Sequence, residues 1–208
     1  MAESLRFGAV VLAAGASTRM GTPKPLLPVG GGTLIRRVVA AVLASPAWPV
    51  VIVLGARAEL IRPELVRLPV LLVENPAWSE GLTSSIRVGM GVLESFSLSI
   101  EAAVLVLGDQ PGLSPGALTR LAATQLQSGQ SIVAARYEGH PGPPVLFTRG
   151  HFPELLELRG PGGARPLLAR HADRLATIDL PEFAVDLDTP EDYRTFLARQ
   201  AAPPGAQP

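Results

Sequence analysis

Short apolar runs rich in β-branched residues alternate with helix-patterned segments along the whole chain, and this alternation restricts the fold more than any single residue does. Phe7–Ala13 (FGAVVLA) reads as a strand buried on both faces, leading into a loop rich in Gly and Pro. Thr33–Ala44 has helical spacing with Thr33 placed as N-cap. Val50–Leu54 reads as a second strand, residues 57–67 as a short helix, and Val70–Glu74 as a third strand. Ser84–Glu94 reads as a helix, Ala102–Leu107 as a fourth strand, and Ser114-Pro115 opens a helix running to about Gln127. The second half is more broken. Strands are expected at Ser131–Arg136 and Val145–Phe147 on either side of a Pro/Gly loop, and helices near Pro153–Leu158 and Arg165–His171. Val185–Asp188 closes the strand list ahead of a helix start at Thr189-Pro190-Glu191-Asp192. Strands alternating with helices of this length imply right-handed βαβ units and a mostly parallel α/β sheet covered on both faces. No internal repeat and no linker divides the chain, so residues 1–199 are expected to form one domain and 200–208 a disordered tail.

Composition removes several classes of function. With 47% hydrophobic and 17% charged residues, the chain can bury a large core. Lys plus Arg (18) balance Asp plus Glu (18), so the electrostatic footprint of a nucleic-acid binder is missing. The absence of cysteine excludes a disulfide framework and a thiolate nucleophile. The longest apolar runs fall far short of a membrane span, and MAESLRFGAVV lacks the pattern of a signal peptide. A cytoplasmic protein with no nucleic-acid or membrane partner is expected. Among the basic residues, 17 are arginine and one is lysine, Lys24. A single lysine kept in an Arg-rich chain suggests a place where a compact ammonium cannot be exchanged for a planar fork.

Four segments carry the chemistry. Leu12–Pro28 (LAAGASTRMGTPKPLLP) leaves the first strand, with Gly15 and Gly21 in the loop and Arg19 and Lys24 as charges. In an open parallel sheet ligands bind beyond the carboxyl ends of strands, where such a loop can offer backbone N–H groups to an anion and two cations to a polyphosphate. It is neither a Walker A loop nor a GxGxxG fingerprint. Leu107–Pro111 (LGDQP) puts Asp109 at the end of the most apolar strand. A desolvated carboxylate is costly there, and a divalent cation such as Mg²⁺ resolves that cost. In Val185–Asp192 (VDLDTPED), Asp186 and Asp188 stand two apart on a short strand; at most one of them is expected to reach that metal, and Asp188, next to the turn, is favoured. A role for Asp188 as cap of the last helix fits equally well. Asn75–Met90 (NPAWSEGLTSSIRVGM) sets Gly81, Thr83, Ser84 and Ser85 before a helix whose free N–H groups favour polar ligands, although Ser84 also fits as an ordinary cap. His140, His151 and His171 have no metal-ligand spacing and are expected at the surface.

Together these motifs resemble the MobA-like nucleotidyltransferases, and within them the molybdenum cofactor cytidylyltransferase branch, over residues 7–198. LAAGASTRMGTPKPLLP looks like that branch's LAAGxSxRMGxxKxLLP, LGDQP is similar to GDxP, and VDLDTPEDY resembles D-x-DTPED. NPAWSEGLTSSI looks like the family's segment beside nucleobase and ribose. The resemblance implies a three-layer α/β/α Rossmann-like fold and Mg²⁺-dependent transfer of CMP from CTP to the molybdopterin cofactor, with release of pyrophosphate. It implies nucleotide contacts from Leu12, Ala13, Ala14, Gly15, Asn75, Gly81, Ser84 and Ser85. Arg19, Lys24 and Asp109 would be catalytic, the first two on the phosphates, with Asp109 and Asp188 holding the metal. The implied partners are CTP or another NTP, a pterin acceptor, and a molybdoenzyme or its maturation chaperone. Two alternatives stand beside this: a GTP- or sugar-phosphate-using enzyme of the same fold, and a non-catalytic module that delivers a cofactor. Two positions depart from the family pattern, Pro143 where His is common and Pro161 where Asp is common, both in the acceptor-side half.

Overall fold

A computed structural model describes residues 4–96, 98–185 and 187–201, apart from the side chains of Arg19 and Ala201. In chain order, β1 (Phe7–Ala13) is followed by a two-stranded ribbon of β2 (Pro28–Val29) and β3 (Gly32–Thr33). Then come α1 (Leu34–Leu43), β4 (Val50–Leu54), α2 (Ala58–Ile61), β5 (Leu71–Glu74), α3 (Leu82–Phe96) and β6 (Ala102–Leu107). The second half holds α4 (Pro115–Ser128), β7 (Ile132–Tyr137), β8 (His140–Thr148), α5 (Phe152–Leu156), α6 (Arg165–Arg170), β9 (Leu175–Asp179) and α7 (Pro190–Ala201). The main sheet has the order β5-β4-β1-β6-β8-β7-β9, and β8 alone runs against its neighbours.

Each central strand feeds two cores because successive side chains point to opposite faces. Ala9, Val11 and Ala13 of β1 join one core with Leu34, Val38 and Val42 of α1, Leu118 and Leu121 of α4, and Phe196 of α7. Val10 and Leu12 join the other with Ile86, Met90 and Leu93 of α3, Phe152 and Leu155 of α5, and Leu167 of α6. That division makes the three layers. Helix α3 lies so close to the sheet that a Cβ on Gly89 would come within 2.3 Å of Val10 Cγ1 and 2.8 Å of Val53 Cγ2. No helix among the described residues is long and apolar enough to cross a membrane.

The sheet departs from the sequence reading in its second half. The segment expected as a Pro/Gly loop belongs to β8, nine residues long. Glu138 (φ 51°) and Gly139 (φ 80°) form a two-residue turn with both residues in the left-handed region, and Tyr137 pairs directly with His140. The register jumps from Ala134↔Val145 to Ala135↔Gly142, which leaves Pro143 and Pro144, two residues without an N–H to donate, out of the ladder. A strand at Val185–Asp188 is not formed: Val185, Leu187 and Asp188 are irregular, and Asp186 lies outside the described residues. The edge position belongs to β9, which pairs in parallel with β7.

Candidate active site

The chain passes from β1 to β4 on one side of the sheet and later returns through α3 to β6 on the other side of β1. The strand order therefore reverses between β1 and β6, and an open α/β sheet binds ligands beyond the strand ends at such a point. A cleft of about 400 Å³ lies there. Its floor is the end of β1 and the following loop, Leu12 to Ser17; one wall is Leu107 to Asp109 after β6, the other Trp78 to Leu82 with Ser85 at the start of α3. Ser17 adopts φ 52°, ψ 38°, and its Oγ accepts a hydrogen bond from the Lys24 backbone N–H at 3.0 Å, which fixes the path of the loop back to the cleft. A Cβ on Gly15 would meet nothing within 4 Å. The protein's own packing therefore does not require glycine there, and the open space belongs to the cleft.

Lys24, Asp109 and Asp188 converge on the cleft from three separate segments. The Lys24 ammonium pairs with Asp188 and stands 3.7 Å from Asp109 Oδ2, its side chain 12% exposed against 38% for Asp109. The neighbouring helix starts are held by other residues. Ser114 Oγ accepts from Ala117 N at the start of α4, and Thr189 and Asp192 bond reciprocally at the start of α7. The two carboxylates offer hard oxygen donors beside a place where the chain already holds positive charge. That donor set fits a hard divalent cation, which takes one or two carboxylates together with substrate phosphates.

The residues named from sequence around the nucleotide separate into lining and support. Leu12, Ala13, Ala14, Gly15, Lys24, Gly81, Ser85 and Asp109 line the cleft. Asn75 is 1% exposed; its Nδ2 donates to Ser84 Oγ at 2.8 Å and Ser85 Oγ at 3.0 Å, and its Oδ1 accepts from Ala77 N. Ser84 Oγ donates back to the carbonyls of Ala77 and Gly81. Asn75 and Ser84 thus stand behind the wall and set the path on which Gly81 and Ser85 reach the cleft. Arg19 has its backbone in the turn Thr18–Met20, and its side chain lies outside the described part. Trp78 and Leu82, which sequence reasoning did not name, complete the wall. A tryptophan in a loop just before a helix N-terminus was the available signal.

A second, larger cleft of about 950 Å³ adjoins the first and shares Leu12, Leu82, Leu107 and Asp109 with it. Tyr137, Glu138 and His140 of the hairpin, Arg165 of α6 and Phe183 and Asp188 of the C-terminal segment line it. Pro143 lines it too, and its carbonyl accepts from Gln110 Nε2 at 2.8 Å, a bond that ties the end of β6 to β8. Pro161 is exposed on the loop before α6.

Residues 9–175 match the MobA-like NTP transferase domain. Nicotine blue oxidoreductase from Paenarthrobacter nicotinovorans is 34% identical, with 90% of this chain and 95% of that protein covered. Molybdenum cofactor cytidylyltransferase from Escherichia coli (strain K12) is 24% identical, with 91% and 95% covered. Among solved structures, Rv0371c from Mycobacterium tuberculosis H37Rv superposes with a TM-score of 0.76 at 30% identity, over 94% of this chain and 100% of that one. The same protein has a structure in complex with manganese. The mostly parallel sheet between two helical layers is the Rossmann-like nucleotidyltransferase fold. The chain belongs to the MobA-like NTP transferase family and is a nucleotidyltransferase.

Proposed function

We propose that this protein transfers CMP from CTP to the terminal phosphate of a molybdopterin-type cofactor, with release of pyrophosphate. The observation that carries this reading is the pair of adjoining clefts meeting at Lys24, Asp109 and Asp188. The smaller cleft suits a nucleoside triphosphate. The larger one, with Tyr137, His140 and Arg165, suits an extended heterocyclic acceptor that carries a phosphate. An acceptor phosphate oxygen bonds to the α-phosphorus while the bond from that phosphorus to the bridging oxygen of pyrophosphate breaks. The nucleophile is already anionic, so the protein need supply no general base; alignment and charge neutralisation remain.

The backbone of Leu12 to Gly15 would cradle the nucleotide, and the Lys24 ammonium, with Arg19, would sit on its phosphates. Asp109 and Asp188 would hold Mg²⁺, which when bound supplies positive charge to the phosphate oxygens. Ser85 and Gly81 would face the ribose and base, with Asn75 and Ser84 holding them in place. The family relatives carry names from different chemistries, so the reading rests on the site rather than on any one of those names. The deciding experiment measures pyrophosphate release across four NTPs with isolated molybdenum cofactor and Mg²⁺, beside thermal shift with each NTP. Release with CTP alone supports the proposal. Release with GTP, or with a sugar phosphate as acceptor, overturns the substrate, and the absence of any nucleotide-dependent shift moves the cofactor-delivery module ahead.

A further inference from the structure

Away from the cleft, the chain brings together three side chains that sequence spacing did not connect. His151 ends a 3₁₀ turn, Glu154 lies in α5 and His171 follows α6. His151 is only 4% exposed, contrary to the surface position expected for it. Its Nδ1 is 3.1 Å from Glu154 Oε1, and His171 Nε2 is 3.0 Å from both carboxylate oxygens of the same Glu154. The two imidazole rings approach edge to face, with centroids 4.8 Å apart. All three ligand-type atoms lie within 4.8 Å of one another.

We propose that His151, Glu154 and His171 form a binding site for a borderline transition-metal ion of the Zn²⁺ class, separate from the catalytic cleft. Two imidazole nitrogens and one carboxylate oxygen are a zinc donor set that leaves a fourth position open. Bonds of about 2.0–2.1 Å in a tetrahedron put neighbouring ligand atoms roughly 3.3 Å apart. Both imidazole nitrogens stand within a few tenths of an ångström of that distance from Glu154 Oε1, and side-chain rotation of the partly exposed His171 would bring the two nitrogens, within 4.8 Å of each other, to it. The outer contacts have the form such ligands need. His151 Nε2 meets Ser131 Oγ at 2.8 Å, which orients the ring with Nδ1 toward Glu154. Arg170 Nη1 donates to Glu154 Oε2 at 3.2 Å from an exposed side chain and leaves Oε1 facing both rings.

The location gives the site a consequence. Arg165, Leu168 and Ala169 of α6 form one side of the larger cleft, and His171 is the residue just after that helix. An ion bridging α5 to the end of α6 would clamp that side of the cleft without touching either substrate. The test uses the full chain stripped with chelator and titrated with Zn²⁺ by calorimetry, with Mg²⁺ in large excess to occupy the Asp109–Asp188 carboxylates. Co²⁺ substitution reports coordination geometry through its visible absorption. One equivalent of Zn²⁺, a tetrahedral Co²⁺ spectrum, and loss of both in His171→Gln and in Glu154→Gln but not in Asp109→Asn are expected. Absence of binding, binding that survives both substitutions, or binding lost in Asp109→Asn would each overturn the proposal. His171 and Glu154 are chosen because both are partly exposed, and circular dichroism of each variant shows whether the fold is kept.

Discussion

The lone lysine among 18 basic residues sits with its ammonium between two carboxylates, a compact point charge where a guanidinium would be a planar fork. Lys24→Arg keeps the charge but spreads it over a larger plane, so kcat is expected to fall at least about tenfold, which is ~1.4 kcal/mol of transition-state stabilisation. Steady-state pyrophosphate release measures it, and near-wild-type turnover would sink the idea that a point charge is required. Asp109→Asn removes one of the two carboxylates proposed for the cation. Nucleotidyl transfer should drop by about 10²–10³, as for loss of one preorganised electrostatic group. A partly exposed ion pair contributes only about 0.2–1 kcal/mol, so the melting temperature should stay within a few degrees of wild type. An active but readily unfolded variant would make Asp109 a structural residue instead. At this scale the sequence was legible where a residue stands out by composition or position: Lys24, the lone lysine, and Asp109, after its apolar strand, both line the cleft. Asn75 and Ser84 carried no mark to separate support from lining, because both are polar and the distinction is made only by the bonds between them.

Elements of the first half were legible because β1, β4 and β6 are buried on both faces and so are written as unbroken apolar runs. The first half of β8 and the whole of β9 escaped for opposite reasons. β8 hides behind prolines that a bulge takes out of the ladder, and β9 is a half-buried edge strand whose residues carry no continuous apolar signal. What holds β9 in register is partly an exposed pair across to β7. Arg136 donates from Nε to Asp179 Oδ1 at 2.7 Å and from Nη2 to Oδ2 at 3.0 Å, and the guanidinium keeps the Asp179 carboxyl below its ordinary range. A native carboxyl depressed in this way binds its proton at lower pH than in the unfolded chain. Its stabilisation is therefore full above the unfolded value of about 4 and disappears as pH falls through the lowered native value. Asp179→Asn should melt below wild type at pH 7, with the gap closing as pH drops below about 4. A gap that stays constant down to acid conditions would show that the pair's charge contributes nothing to the edge.

Across the whole molecule, the site is assembled from the two ends of the chain: Lys24 follows β1, and Asp188 comes 164 residues later, just before α7. Helix α7 is anchored to the first half independently of the site, through Tyr193 Oη donating to the Pro28 carbonyl and Phe196 packing into the core shared with α1. Asp188 is thereby presented to Lys24 by a braced segment. One ammonium is shared between two carboxylates, and under the proposed function this arrangement would make the nucleotide and the cation mutually dependent. A triphosphate would draw the ammonium toward itself and leave Asp109 and Asp188 favouring a cation; a cation on those carboxylates would in turn release the ammonium toward phosphate. Such coupling is reciprocal and typically about 1–3 kcal/mol, or 5–150-fold in affinity. Thermal shift with NTP alone, Mg²⁺ alone and both together should give a combined rise that exceeds the sum of the separate rises, after correction for Mg²⁺ binding to free NTP. In Asp188→Asn, which takes away one carboxylate and keeps Asp109, the excess should fall most of the way to zero while each ligand still binds weakly. Strictly additive shifts in the wild type, or an excess that Asp188→Asn leaves intact, would mean that the Lys24–Asp188 pair braces the fold and plays no part in coupling nucleotide to metal.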